Sequence, residues 1–322
     1  MSIFAMPQPA PFITLFTAPK PFTNPHIALI QRNAIQSWRS LGEEVEVFMV
    51  GNEAGMSELS TELGIRHLPQ VRCNEQGTPL VSSIFELARQ NSESPLLAYA
   101  NADVLLTPQF IQAARLVSSQ MKVFLIVGQR WDLDLRQALD FDPGWDARLL
   151  AEVKQRGRLH PPAGSDYFVF PRQCFSELPG FAIGRAGWDN WMFYYARLRK
   201  WPVVDATSAC TVVHQDHDYS HLPDGQPHYH LPESYTNIRL AGGRRTNFHL
   251  EDADWHIRDG HVRPVPLRGK KLLREVEIFP LIHLRSHALS QVLFAIFHPA
   301  KAWKEWRGRI AYKFGQLRGS HE

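Results

Sequence analysis

From Pro11 to Arg130 the chain alternates between short apolar runs and longer stretches with helical spacing, and this alternation restricts the fold more than any other feature. "PFITLFTAP" (Pro11–Pro19) has the density of a buried strand. In "NPHIALIQRNAIQSWRSLG", Asn24 is suited to cap a helix, Pro25 to open it and Gly42 to end it, with Ile27, Ile30, Ala34 and Trp38 on one face. "EVEVFMVG" (Glu44–Gly51) is a second strand. A short helix over Ser57–Leu63, a short strand at "IRHLP" and a helix over Thr78–Ser92 follow. "LLAYA" is again a strand, Pro108–Ser119 a helix and "KVFLIVGQR" a long strand. Strands separated by helices call for an α/β fold, a mostly parallel sheet with helices on both faces.

Further on, the spacing predicts a helix near Ala147–Arg156, a strand at "SDYFVFP" and an aromatic-rich helix over Trp188–Trp201, with "PVVDATSACTVVHQ" as the last strand. The character changes at about Asn237. This places one domain at residues 1–236 and an extension at 237–322, made of a small antiparallel element around Asp259-Gly260 and helical patterns split at Pro299. With 44% apolar and 21% charged residues the chain is globular, and a formal charge of +3 gives no reason to expect a nucleic-acid partner. Three scattered cysteines suit a reducing compartment. The N-terminus lacks the pattern of a signal peptide, and no uncharged apolar run is long enough to span a bilayer. A cytoplasmic protein, or one peripheral to a membrane, is expected.

Ligands of open α/β sheets bind beyond the carboxyl ends of the strands. Those ends carry Thr17, Pro19 and Lys20; Asn52 and Glu53; Asn101 and Asp103; Arg130; and His214. Alternation along a strand puts Asn101 and Asp103 on one side, interrupting two apolar runs. That pair can be a polar site or a turn that caps the strand. No Walker lysine loop or GxGxxG follows the first strand, so ATPase and dinucleotide-binding readings lose their main support. In "LPGFAIGRAGWDNWMFYYA", three glycines lead into a helix beginning near Asp189, where a carboxylate is either a helix cap or a functional acid.

The order of these features resembles a GT-A-fold glycosyltransferase of the family 2 type. A strand–helix–strand start, a mid-chain strand ending in a D-x-D-like triplet, Trp-Asp-Asn after a Gly-rich loop and a histidine on a late strand carry the likeness, over roughly Ile13–His221. Asn101 stands where such enzymes usually have the first aspartate. The resemblance implies a nucleotide-sugar donor, a UDP-sugar by preference, and a glycan, lipid-linked or small-molecule acceptor. It also implies a cation, Mn2+ or Mg2+, held by Asp103 and His214 to neutralise the departing diphosphate. Thr17, Pro19, Lys20, Asn52, Glu53, Asn101 and Arg130 fall on the nucleotide side. Asp166, Trp188 and Asn190 fall on the sugar or acceptor side, and Asp189 takes the place of the general base of an inverting reaction.

Each of these residues also has a plain structural reading. Arg130 can be a surface salt bridge, Asp166 a buried carboxylate on a backbone partner, and Trp131, Trp188 and Trp191 core aromatics. His217, His221, His228 and His230 are read as ordinary loop histidines. The tail mixes Trp303, Trp306, Ile310, Tyr312 and Phe314 with Lys301, Lys304, Arg307, Arg309 and Lys313, which suits a helix docked on the main domain or lying on an anionic membrane through residues 289–318. Three other functions compete with glycosyl transfer: a sugar-phosphate nucleotidyltransferase, a catalytically degenerate sugar- or nucleotide-binding protein, and a metallohydrolase built on the His/Asp cluster, whose histidines lack the i, i+4 spacing of HExxH.

Overall fold

The computed structural model describes residues 10–217 and 231–308. His221, His228 and His230, and the tail from Arg309 onward, lie outside the described residues.

Four strands open the chain as a parallel block: β1 (Ile13–Thr17), β2 (Val45–Val50), β3 (Arg66–Leu68) and β4 (Leu96–Ala100). The helices between them are α1 (Pro25–Arg39), α2 (Met56–Leu63) and α3 (Val81–Asn91). Asn24 caps α1 as its sequence predicts, accepting from His26 N (2.9 Å) and Ile27 N (3.1 Å). Side-chain alternation along β1 divides the core. Ile13 and Leu15 bury against Ala34, Ile35 and Trp38 of α1 and Leu59 and Leu63 of α2. On the opposite face Phe16 meets Phe85 of α3 edge-on at 5.0 Å and Tyr99 of β4 at 5.8 Å.

The large sheet has nine strands in the order β13-β12-β10-β6-β9-β4-β1-β2-β3. Its remaining members are β6 (Leu125–Val127), β9 (Tyr167–Pro171), β10 (Val203–Asp205), β12 (Trp255–Arg258) and β13 (His261–Pro264). β9 runs antiparallel between β4 and β6, and β13 is antiparallel to β12; the other pairings are parallel. Around β1 the order reads 3-2-1-4, so the chain reverses its winding between β1 and β4, and a crevice opens at such a point.

A second sheet was not foreseen. It has the order β5-β11-β7-β8 and is built from β5 (Val104–Leu106), β7 (Trp131–Leu133), β8 (Arg158–Leu159) and β11 (Val212–Gln215). Three strands of the large sheet each turn and run on into it: β4 into β5, β6 into β7 and β10 into β11. The long strand expected at Lys122–Arg130 and the single one expected over Pro202–Gln215 are therefore each only part of a bent path. At the first bend, a Cβ on Gly128 would overlap the buried Tyr167 hydroxyl and lie 3.2 Å from Thr207 N, so the close approach of these segments needs glycine.

The helices α4 (Pro108–Ser118), α5 (Trp145–Arg156), α6 (Trp188–Leu198) and α7 (Pro232–Leu240) complete the first compact unit, which extends to Val265. This moves the boundary expected at 236/237, because β12 pairs with β10 inside the large sheet. The second unit, from Pro266, contains α8 (Gly269–Ile282), α9 (His287–Phe297) and a helix α10 over 299–308, one helix more than the split at Pro299 suggested.

Candidate metal and transfer site

The three bends between the sheets gather the polar residues. Across the small sheet, His214 on β11 lies opposite Val104 of β5 and Asp132 of β7. Register thus sets one imidazole beside the residue that follows Asp103 and beside a second carboxylate. His214 Nε2 is 3.9 Å from Asp103 Oδ2, and His214 Nδ1 is 3.3 Å from Asp132 Oδ1 and 3.8 Å from Asp216 Oδ1. His217 Nε2 is closer still to Asp103 Oδ2, at 3.1 Å.

Two groups here bring ligand atoms within 4.8 Å of one another: Asp103, His214 and His217, and Asp132, His214 and Asp216. Asp103 Oδ1 and His214 Nδ1 are buried with no hydrogen-bond partner among the described residues. A buried acceptor left in this state costs about 1–3 kcal/mol. Burial acts to raise the Asp103 pKa. The hydrogen bond from His217 and the charges of His214, Lys20 and His217 outweigh it and hold the carboxyl well below its usual range. The result is an ionised carboxylate with a free oxygen, flanked by imidazoles, and this donor set fits a divalent cation. Mixed nitrogen and oxygen ligands suit manganese better than magnesium.

Beyond the cluster a chain of ion pairs leads away. Asp132 Oδ2 is 2.8 Å from His160 Nδ1, and its Oδ1 accepts from Arg130 Nε at 2.9 Å. Arg130 Nη1 donates to both oxygens of Asp166, at 2.9 and 2.8 Å. Asn101 Nδ2 donates to Asp166 Oδ1 at 2.8 Å, while Asn101 Oδ1 accepts from the Tyr99 hydroxyl. Burial lowers the Arg130 pKa, but Asp166 and Asp132 reverse this and raise it, so the guanidinium is charged and committed. Arg130, Asp166 and Asn101, expected on the nucleotide and sugar sides, thus hold one another.

Asp189 lies near the far end of this chain. The cap of α6 is Gly187, at φ +108° and with its ideal Cβ 3.3 Å from Ile238 Cγ1; Asp189 is the second residue of the helix and does not cap it. A helix N-terminus favours a charged carboxylate. Burial opposes this and wins, pushing the Asp189 pKa up with help from the negative charge of Asp166 against backbone donors at Asn190 and Gly187. Its Oδ1 is buried and has no hydrogen-bond partner among the described residues. The loop that presents it is pinned by α7: Asn237 pairs with both the amide and the carbonyl of Ala182, each at 2.9 Å, and Ser234 Oγ accepts from Ala186 N.

The other expected residues divide. Lys20 is near enough for Asp103 to raise its pKa, although burial has the larger effect and lowers it. Thr17 ends β1 with a buried hydroxyl that has no partner among the described residues, and Pro19 is buried. Asn52 is exposed and Glu53 half-buried beyond β2, and among the described residues no contact joins them to the Asp103 cluster. Trp188 is corrected: its ring is buried edge-on against Tyr99 at 5.1 Å and beside Phe168, as core rather than a platform for a sugar. Asn190 is corrected too, since its amide donates to Phe248 O at 2.6 Å and fastens a neighbouring loop. Asp132 and His160, not among the expected residues, and His217, expected as a loop histidine, also lie in or beside the cluster. Strand alternation from Arg130 could have flagged Asp132, but nothing in the sequence separates His217 from its neighbours.

No family model matches the chain, and no curated protein matches it. Among solved structures, S. aureus TarS 1–349 in complex with UDP-GlcNAc aligns at TM-score 0.47 and 11% identity, covering 71% of this chain and 65% of that one. The chain thus spans just under two thirds of that protein's length. Glucosyl-3-phosphoglycerate synthase from Mycobacterium tuberculosis, in complex with Mg2+ and uridine-diphosphate, aligns at 0.44 and 14%, covering 73% of this chain and 81% of that one. At this overlap, function has to be argued from the chain's own side chains.

Proposed function

We propose that this protein is a metal-dependent glycosyltransferase that moves a sugar from a nucleotide-diphosphate donor, by preference a UDP-sugar, to an acceptor hydroxyl with inversion. One observation carries the reading: a fully ionised Asp103 with an unpartnered buried oxygen, beside His214 and His217, at the carboxyl end of β4 where the sheet reverses its winding. These three side chains would hold Mn2+ or Mg2+, and a bound cation supplies neutralising charge for the diphosphate leaving group. Lys20, at the end of the neighbouring strand, adds a desolvated ammonium on the same side. Arg130 and Asp166 act by position. They fix Asp132 behind His214 and set a negative charge that keeps Asp189 basic.

In the transfer step the bond between the anomeric carbon and the diphosphate oxygen breaks, and its electron pair leaves with the diphosphate. The acceptor oxygen forms the new bond from the opposite face and gives its proton to the Asp189 carboxylate. A carboxylate with a raised pKa is a stronger base for that proton.

The experiment is a thermal-shift panel of UDP-, GDP-, CMP- and dTDP-sugars, each with and without Mn2+. One nucleotide should raise Tm, and more so with metal; donor hydrolysis should then follow in wild type and fail in Asp189→Asn. No shift with any donor would remove the reading. A shift without turnover would favour a sugar-nucleotide binding protein, a reading that Asn101 in place of a carboxylate also favours.

A further inference from the structure

The second compact unit keeps an unusual amount of apolar surface open. On α8, Leu272, Val276 and Phe279 follow one another at four- and three-residue steps, with Phe279 49% exposed. On α9, Leu289, Val292 and Ile296 do the same, with Ile296 65% exposed. Val276 and Phe279 of the α8 stripe line a groove with Leu293 of α9, together with Leu267, Glu275 and His283. On α10, Trp303 and Trp306 stack on each other at 4.8 Å while remaining more than half exposed. The buried side of α8, by contrast, is conventional, with Ile278, Leu281 and Ile282 inside.

Charge indicates what covers this surface. Residues 266–308 carry eight Lys and Arg against three Asp and Glu, whereas residues 1–265 carry 24 against 28. The basic excess of the whole chain thus belongs to this unit alone. Lys301, Lys304 and Arg307 are exposed and interleave with Trp303 and Trp306 along α10, and Lys270 and Arg285 are exposed at the ends of the α8–α9 pair. Apolar stripes ending in paired tryptophans, surrounded by lysine and arginine, match a surface that is hydrocarbon just below and negatively charged just above. A second copy of the unit would match the apolar stripes but bring two positive surfaces together. No helix among the described residues is long and apolar enough to cross a membrane.

We infer that α8, α9 and α10 form a docking face for an anionic lipid surface, on which they lie in the interfacial plane with Trp303 and Trp306 inserted. The inference does not depend on the proposed chemistry of the first unit.

The test is sedimentation of the full chain with vesicles of phosphatidylcholine mixed with phosphatidylglycerol, and with vesicles of phosphatidylcholine alone. The protein should pellet with the mixed vesicles, fail to pellet with the neutral ones and be released as salt is raised. Trp303→Glu combined with Trp306→Glu should abolish pelleting. Lys301→Glu/Lys304→Glu/Arg307→Glu should weaken it by on the order of 100-fold, at roughly five-fold for each basic side chain removed. All these side chains are exposed, and unchanged circular dichroism will show that the variants fold. Equal pelleting with neutral vesicles, no pelleting with anionic ones or unaffected variants would overturn the inference. So would a wild-type dimer by light scattering that the tryptophan substitutions convert to monomer, since a second copy would then be the occupant.

Discussion

At the scale of single residues, the proposed function gives Asp189 the chemistry and leaves Arg130 and Asp166 to hold their neighbours. Asp189→Asn keeps the shape and removes the base, so kcat should fall by about 10²–10⁴-fold, while metal and donor binding measured by titration stay within a few-fold of wild type. The pH profile gives a sharper test. Burial raises the Asp189 pKa, so at any given acidic pH more of it is protonated and inactive than an ordinary aspartate would be. Activity should therefore rise with pH along a limb displaced above the usual carboxylate range, and the residual activity of Asp189→Asn should lack that limb. Arg130→Met tests the supporting network. It leaves Asp132 and Asp166 without their shared cation in a setting where each is only 14% exposed, and should cost about 3–5 kcal/mol by denaturant unfolding. Asp103 and His214 were legible in the sequence because each follows an apolar strand and breaks its pattern. Trp188 and Asn190 were misread because the Trp-Asp-Asn motif gives no indication of which neighbour turns inward.

At the scale of elements, the parallel block was legible almost strand for strand. β1, β2 and β4 are largely apolar runs, and α1 and α2 are bounded by a cap or a breaker, at Asn24 and Gly64. The small sheet was not legible, because its strands are two to four residues long and three of them continue apolar strands of the large sheet without a Pro or Gly pair between them. The bends that create it depend on local fit. Gly128→Ala would drive a methyl group into the Tyr167 hydroxyl at the turn that launches Arg130 and Asp132. It should destabilise the protein by about 1–3 kcal/mol and weaken metal binding as well, measured by thermal melts with and without Mn2+. Asn24→Ala provides a contrast: loss of the α1 cap should cost about 1 kcal/mol and leave metal affinity unchanged.

At the scale of the molecule, the candidate site lies where two sheets meet. The large sheet reverses its winding between β1 and β4, and β4, β6 and β10 then cross into the small sheet, so residues separated by more than 100 positions, such as Asp103 and His214, come within 4 Å. The same junction gathers the Asp103, His214 and His217 group that could hold a cation, the Arg130 ion pairs and a desolvated Asp189. Titrating the protein with Mn2+ in the presence of UDP while following the electron paramagnetic resonance spectrum of free Mn2+ tests this most directly. The free-ion signal should disappear in proportion to added protein, one ion per chain, and persist in full with Asp103→Ala or His214→Ala. A signal undiminished by wild-type protein, or one that the variants diminish equally, would contradict the account.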